Sequence, residues 1–117
     1  MKKIYYLSTC STCKRIIEEL GIGDDFEMQD IKFDKITPEQ LDTMAARAGS
    51  YEALFSKRSR QFRPLGLHEK VLTEADYKKY ILEEYSFLKR PVLLIDGDIF
   101  VGNSKQVVEA AALALKK

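Results

Sequence analysis

Cys10 and Cys13, the only two cysteines of the chain, are separated by two residues. An apolar run at residues 4–7 precedes them and has the length of a short strand, whereas residues 14–20 carry apolar side chains at helical spacing. The cysteine pair therefore lies where a strand passes into a helix. This succession is typical of an α/β fold in which the first helix begins at the cysteines.

A thiol at the start of a helix is easier to ionise than a free one. The helix N-terminus presents unpaired N–H groups and the positive end of the macrodipole, and the thiolate is the reactive form of cysteine. Lys14 and Arg15 add positive charge nearby. Because Cys10 precedes the helix and Cys13 falls in its first turn, we expect Cys10 to be the exposed attacking sulfur and Cys13 its partner. The pattern indicates redox or thiol chemistry.

Length and charge exclude several classes of protein. With 117 residues, we expect one domain spanning residues 1–117. The 19 basic and 18 acidic residues nearly cancel, so no overall field recruits nucleic acid or an acidic membrane. The sequence has no membrane-spanning apolar run and no signal-peptide pattern, which predicts a cytoplasmic location. Structural disulfides are rare in that compartment, so a catalytic or sensing role for the two cysteines is favoured.

Two other interpretations of the cysteine pair remain open. A structural zinc site needs four ligands, and His68 is the only further cysteine or histidine, so a carboxylate or a second chain would have to complete it. Both cysteines could also pack as small apolar side chains. We expect no metal and no bound cofactor. His68 itself could act as a general base, but its polar surroundings favour a solvated loop residue.

The two ends of the sequence predict one four-stranded sheet. Residues 4–7 and 26–31 read as strands on either side of the first helix, which Gly21 ends, so they should run parallel through a right-handed crossover. The continuous apolar run 92–95 predicts a buried strand, and a turn at Asp96-Gly97 returns the chain as its hairpin partner, 98–101. A final apolar-faced helix follows Ser104.

The middle of the chain predicts a helical insert, at about residues 36–86. Thr37 caps a helix that runs to about Ala48, residues 51–55 form a second short helix, and Thr73 opens a third that runs to about Tyr85. Residues 56–64 contain four cations and favour a solvated loop. The predicted fold is therefore α/β: a four-stranded mixed sheet flanked by helices, with the insert between strands 2 and 3.

Three segments together resemble a known family. They are the cysteine segment at residues 5–14, the tract at residues 55–67, and Arg90-Pro91 with the later Val101-Gly102. In this order and spacing they are similar to the ArsC, Spx and YffB proteins over nearly the whole chain. The resemblance implies a thioredoxin-like fold and a cis bond before Pro91, facing the cysteines. A trans proline that merely begins the third strand is the alternative, since proline lacks the N–H that a central strand needs.

The arsenate-reductase branch of this family implies an enzyme. Its members have a nucleophilic cysteine at the position of Cys10, reduce an oxyanion with glutathione and glutaredoxin, and hold that anion with arginines. Arg90 matches one of those arginines. Ser56 stands at a second such position, with Arg58 as the nearest substitute, and Asn103 stands at a third. The resemblance thus implies Arg58, Arg90 and Asn103 as the anion-binding residues, with Arg90 also catalytic.

The Spx branch implies a different function. There, as with Cys13 here, a second cysteine completes a dithiol switch, and the protein binds the C-terminal domain of the RNA polymerase α-subunit. Arg58 matches the arginine of the Spx and YffB tract, and Gly49 resembles a glycine at the polymerase contact. A glycine between two helices is also needed as a cap, so that match has a structural explanation. The two hypotheses are a glutathione-linked reductase and a redox-sensing regulator; neither involves direct contact with nucleic acid or a membrane.

Overall fold

The structure is a computed structural model, and it describes residues 2–116. Within these residues the strands are β1 (Lys2–Tyr6), β2 (Glu27–Asp30), β3 (Val92–Ile95) and β4 (Asp98–Val101). The α-helices are α1 (Ser11–Leu20), α2 (Pro38–Ala48), α3 (Glu74–Glu83) and α4 (Lys105–Leu115). Short 3-10 helices occur at Glu52–Leu54, Leu67–Glu69 and Tyr85–Phe87.

The four strands form one mixed sheet in the order β2-β1-β3-β4. β1 and β2 are parallel, joined through α1, whereas β3 pairs antiparallel with both β1 and β4. The predicted α/β fold with a four-stranded mixed sheet is confirmed. The register places Tyr5 opposite Val92, and Val92 opposite Val101. The end of β1, the start of β3 and the end of β4 therefore meet at one edge of the sheet.

The chain divides into two compact units. One contains the residues up to 35 and those from 90 onward, and it holds the whole sheet with α1 and α4. The other is Ile36–Lys89. A single domain over residues 1–117, with an insert at about 36–86, stays a prediction. In the described part of the chain, no helix has both the length and the apolar character needed to cross a membrane.

The core of the first unit explains why β3 is continuously apolar. All four of its residues, Val-Leu-Leu-Ile, are buried, as expected for a strand without a solvent-facing side. On one face of the sheet, Ile4, Leu93 and Ile95 pack with Phe26 and with Ala111 of α4. Burial of this apolar surface stabilises the sheet, and its strand β1 leads into the segment that holds the cysteines.

The first strand begins earlier than its apolar run suggested. β1 includes Lys2 and Lys3, which the predicted strand at 4–7 omits. Lys3 is buried in the sheet because its ammonium lies 3.1 Å from a carboxylate oxygen of Glu27 and 4.9 Å from the centre of the Tyr5 ring. Pairing of the charge and burial of the aliphatic stem make a lysine acceptable at this strand position.

The second unit is built around aromatic side chains. Phe55 and Phe87 are stacked with their ring centres 5.1 Å apart, and Tyr77 lies 4.9 Å from Phe55. α3 ends at Glu83 rather than about Tyr85, because Glu84 is extended and its carboxylate accepts the N–H of Ser86 at the start of the next 3-10 helix. The short helix predicted at residues 51–55 is a single 3-10 turn, Glu52–Leu54.

Thr73 starts α3 through a capping box. Its hydroxyl accepts the Asp76 N–H at 3.3 Å, and the Asp76 carboxylate accepts the Thr73 N–H at 2.9 Å. We expect Thr73→Ala to lower the free energy of unfolding by about 1 kcal/mol, since it leaves a helix N–H without its acceptor. Thr43→Ala in the middle of α2 is the control, because that hydroxyl only donates to the Glu39 carbonyl. Equal urea midpoints for the two variants would contradict the capping role.

Candidate active site

Cys10 occupies the N-cap position of α1. Its backbone is extended (φ −95°, ψ 114°), its N–H donates to the Leu7 carbonyl at 3.1 Å, and its carbonyl accepts the Lys14 N–H at 3.1 Å. The side chain of Cys10 is half-buried, whereas Cys13, in the first turn, is 0% exposed. The predicted placement of the pair at a strand-to-helix junction is confirmed. Both cysteines are free thiols.

The environment of Cys10 favours the thiolate. Partial burial works against ionisation, but hydrogen bonds from the Cys13 N–H, the Cys13 thiol and the Thr12 N–H, together with the positive charge of Arg90, lower the pKa of Cys10 below its ordinary value. These donors are the unpaired N–H groups of the first helical turn. At a given pH near neutrality, more of Cys10 is therefore in its nucleophilic form than of an ordinary cysteine.

Cys13 is shifted in the opposite direction. Burial is the largest effect and raises the pKa of Cys13 to about 11. A Leu7 backbone hydrogen bond opposes it, the negative charge of Cys10 and the hydrogen bond to Cys10 add to it, and Arg90 opposes it more weakly. Cys13 therefore stays protonated, and its S–H group donates a hydrogen bond to the Cys10 thiolate. The two thiols form one hydrogen-bonded pair with one proton donor and one nucleophile.

Arg90 and Pro91 lie at the same edge of the sheet as the cysteines. The pairing of Val92 with both Tyr5 and Val101 brings the start of β3 beside the ends of β1 and β4. The Arg90-Pro91 peptide bond is cis, and the Pro91 carbonyl accepts the Gly102 N–H at 2.9 Å. Gly102 has φ +93°, in the region that favours glycine. Arg90 is the cation that acts on both thiols.

The other predicted anion-binding residues, Asn103 and Arg58, belong to different units. Asn103 follows Gly102 directly and is exposed, and the next residue, Ser104, caps α4 by accepting the Val107 N–H at 3.2 Å. Arg58 belongs to the second unit, where it is exposed in a series of turns. Their roles in anion binding stay predictions.

No metal-binding group was found in the part of the chain that the structure describes. Within residues 2–116, no three or more histidine, cysteine, aspartate or glutamate side chains are grouped so that they could hold a metal ion. The side chain of His68 lies 3.6 Å from that of Glu69 at the surface of the second unit.

Backbone hydrogen bonds also act on the pKa values of the two cysteines, and the residue types alone do not identify which backbone groups form them. The N–H groups of Thr12 and Cys13 hydrogen-bond the Cys10 sulfur, and a backbone hydrogen bond at Leu7 acts on Cys13. The position of Cys10 just before the predicted helix is the sequence feature that indicates the Thr12 and Cys13 N–H groups. By contrast, Lys14 and Arg15, expected to assist ionisation, are exposed and are not among the leading influences on the pKa of Cys10.

Arg90→Gln should raise the pKa of Cys10, because a neutral amide removes the positive charge that stabilises the thiolate. Lys14→Gln, which removes an exposed cation next to the same helix turn, is the control and should leave that pKa nearly unchanged. The pH dependence of the rate at which iodoacetamide alkylates Cys10 measures both. A larger shift for Lys14→Gln than for Arg90→Gln would show that the field at Cys10 has another source.

Comparison with known proteins decides the family. The model of the ArsC family matches residues 5–111. The chain belongs to the ArsC family. The resemblance drawn from the cysteine segment, the 55–67 tract and Arg90-Pro91 is thereby confirmed. Comparison with curated protein sequences gave no significant match.

Solved structures of similar fold include ArsC-related proteins. The YFFB protein is 28% identical with a TM-score of 0.80, over 98% of this chain and 99% of that one. An ArsC-related protein from Brucella melitensis is also 28% identical, with a TM-score of 0.70 over 93% and 92%. The arsenate reductase from Vibrio cholerae is 19% identical, with a TM-score of 0.75 over 92% and 95%, and supports the fold alone. This ArsC-family chain thus has the thioredoxin-like fold of arsenate-reductase-like proteins.

Proposed function

We propose that this ArsC-family protein is a thiol-dependent reductase in which Cys10 attacks the substrate and Cys13 resolves the intermediate. The observation that carries the proposal is the hydrogen bond from the Cys13 thiol to Cys10, in which the donor holds its proton and the acceptor is ionised more readily than an ordinary thiol. Glutathione is the proposed co-substrate and glutaredoxin the proposed redox partner. Both are available in a cytoplasmic setting, which we include in the proposal.

With a disulfide as substrate, the chemistry needs no other group. The Cys10 thiolate attacks one sulfur, the S–S bond breaks, and the leaving thiolate takes a proton. Cys13 then loses its proton and attacks the Cys10 sulfur, which releases the second thiol and forms the Cys10–Cys13 disulfide. Two electrons have passed to the substrate. Two glutathione molecules return the pair to dithiol and are themselves oxidised to glutathione disulfide.

With arsenate, the same thiols carry the same two electrons. The Cys10 sulfur replaces one oxygen on arsenic(V), and that oxygen leaves as water. When a second thiol, from Cys13 or glutathione, attacks the Cys10 sulfur, the S–As bond breaks with its electron pair on arsenic, which leaves as arsenite. Arg90 is suited to stabilise the anion because guanidinium N–H groups form charge-assisted hydrogen bonds with its oxygens. We propose Arg58 and Asn103 as further anion contacts.

Formation of the Cys10 intermediate also prepares Cys13 to act. Two of the effects that raise the pKa of Cys13 are the negative charge of Cys10 and the hydrogen bond to it. Both disappear once the Cys10 sulfur is covalently bonded, so the pKa of Cys13 falls and only burial still opposes its ionisation. The resolving thiol therefore becomes a better nucleophile only after the first step.

A redox-sensing regulator is the second candidate, since it would use the same dithiol. Members of the arsenate-reductase branch have one nucleophilic cysteine, whereas here a second thiol, that of Cys13, is hydrogen-bonded to Cys10. This difference favours the regulator. The polymerase-contact interpretation of Gly49 has a weaker basis: Gly49 has φ +100° and its N–H donates to the Ala45 carbonyl at 2.8 Å, so ending α2 accounts for the glycine.

Steady-state turnover distinguishes the two functions. Arsenate and a small disulfide are each supplied with glutathione and glutaredoxin, and NADPH consumption is followed through glutathione reductase. Sustained turnover that requires this protein supports the reductase. Oxidation-dependent binding of the RNA polymerase α C-terminal domain without turnover would support the regulator instead. Comparison of Arg58→Gln with Arg63→Gln, a neighbouring exposed arginine, tests the anion role: only the first should raise KM for arsenate.

A further inference from the structure

A second feature, separate from the cysteines, is the basic loop, which we define as residues 57–65. It carries four exposed cations, Lys57, Arg58, Arg60 and Arg63. The chain has no aspartate or glutamate between Glu52 and Glu69, so these cations have no acidic neighbour in the sequence. None of the four side chains forms an ion pair with another residue of the described range 2–116. The charges of this loop are therefore available to an external partner.

The basic loop is ordered by hydrogen bonds and a ring contact rather than by its charges. The Ser59 hydroxyl is hydrogen-bonded to that of Ser86 at 2.6 Å and accepts the Gln61 N–H at 3.2 Å. The Phe62 ring lies 6.1 Å from the Phe55 ring, and the Gly66 N–H donates to the Arg63 carbonyl at 2.8 Å. Ser59 and Phe62 fix the backbone and leave the cations exposed, so the entropy cost of ordering the loop backbone on binding is reduced.

An apolar side chain accompanies the cations. Leu65 is 49% exposed, and Pro64 beside it is exposed as well. A surface that combines arginine with exposed apolar groups has the composition of a protein–protein contact, in which arginine is enriched. Nucleic acid fits less well. The chain has a net charge of only +1, and the one aromatic ring of the basic loop, Phe62, is half-buried against Phe55 and is not free to stack on a base.

We propose that the basic loop is a docking surface for an acidic segment of another protein. Lys57, Arg60 and Arg63 pair with carboxylates of that segment, and Leu65 contacts an apolar side chain between them. Arginine suits this role because its planar fork binds a carboxylate through two N–H groups. The proposal concerns the second unit and does not depend on the thiol chemistry.

A short labelled peptide that alternates glutamate and leucine tests this surface by fluorescence anisotropy. We expect the wild-type protein to bind it, and the combined Lys57→Gln, Arg60→Gln, Arg63→Gln variant to bind about tenfold more weakly, as expected when several surface ion pairs are lost. The control, Lys35→Gln, Lys70→Gln, Lys105→Gln, removes the same charge from exposed positions elsewhere and should bind like the wild type. Neither combined variant should change turnover of a small disulfide.

Leu65→Ser separates a protein partner from a nucleic acid. It should weaken binding of the glutamate–leucine peptide and leave binding of a single-stranded DNA of matched charge unchanged, because only the peptide carries an apolar group for that position. Equal binding by the charge variant and its control, or no binding by the wild type, would overturn the proposal. Tighter binding of the DNA than of the peptide, lost in the charge variant, would replace the acidic protein with nucleic acid as the partner.

Discussion

Cys10→Ser should abolish reductase turnover without destabilising the fold. The hydroxyl is a far weaker nucleophile than the thiolate, and loss of an attacking side chain costs on the order of a thousandfold or more in rate. Stability should stay equal or rise slightly. The first-turn N–H groups of Thr12 and Cys13 act on the Cys10 sulfur, and a serine hydroxyl at this N-cap is a stronger acceptor for them than a thiol. The measurement pairs turnover with a thermal unfolding curve.

Cys13→Ser is the matched comparison, and it should stop the reaction one step later. The Cys10 thiol remains, so a disulfide substrate should release one equivalent of thiol and leave a mixed disulfide on Cys10, visible by mass spectrometry. The internal disulfide cannot form. If the Cys10→Ser protein released one equivalent of thiol and the Cys13→Ser protein released none, the roles of the two cysteines would be reversed.

Phe87→Ala should strongly destabilise the second unit. Phe87 is 0% exposed, stacks on Phe55 at 5.1 Å and meets Tyr80 edge-on at 6.0 Å. Truncation of a buried phenylalanine costs about 3–5 kcal/mol, from lost transfer free energy and from the cavity left behind. That is a large part of the stability of a typical domain, which is about 5–15 kcal/mol.

The control is Phe33→Ala, which removes the same ring from a position that is 77% exposed. Its effect should stay within about 0.5 kcal/mol, as is usual for surface substitutions. Urea unfolding monitored by tyrosine fluorescence compares the two. A loss of similar size in both variants would show that the aromatic cluster around Phe55 does not organise the second unit.

Most of the sheet could be predicted because its signals are local. The apolar run of β3, the Asp96-Gly97 turn and the glycine that ends α1 each determine their own element, and strand pairing follows from the βαβ and hairpin connections. The element ends were less predictable. α3 stops at Glu83 because the Glu84 carboxylate caps the next turn, a side-chain hydrogen bond that periodicity does not reveal. Lys3 lies inside β1 because Glu27 neutralises it.

The candidate site was predictable in part. The position of Cys10 before the helix gave the direction of its pKa shift, since helix N–H groups act on any thiol placed there. The size of the opposite shift at Cys13 depends on burial, which requires the packed structure. The nearness of Arg90 to both thiols depends on strand register and came from the family resemblance rather than from spacing. The basic loop was expected to be solvated, and its cations are exposed, but its order comes from Ser59 and Phe62.

We propose Cys10 as the readily ionised attacking thiol and Cys13 as the protonated resolving thiol. The most direct test is the rate of iodoacetamide alkylation of each cysteine as a function of pH, resolved by peptide mass spectrometry. We expect Cys10 to react first, with a midpoint below the ordinary value of a cysteine thiol, and Cys13, in molecules whose Cys10 is still unmodified, to react only as the pH approaches about 11. Faster labelling of Cys13 than of Cys10 near neutral pH, or a Cys10 midpoint at or above the ordinary value, would contradict it.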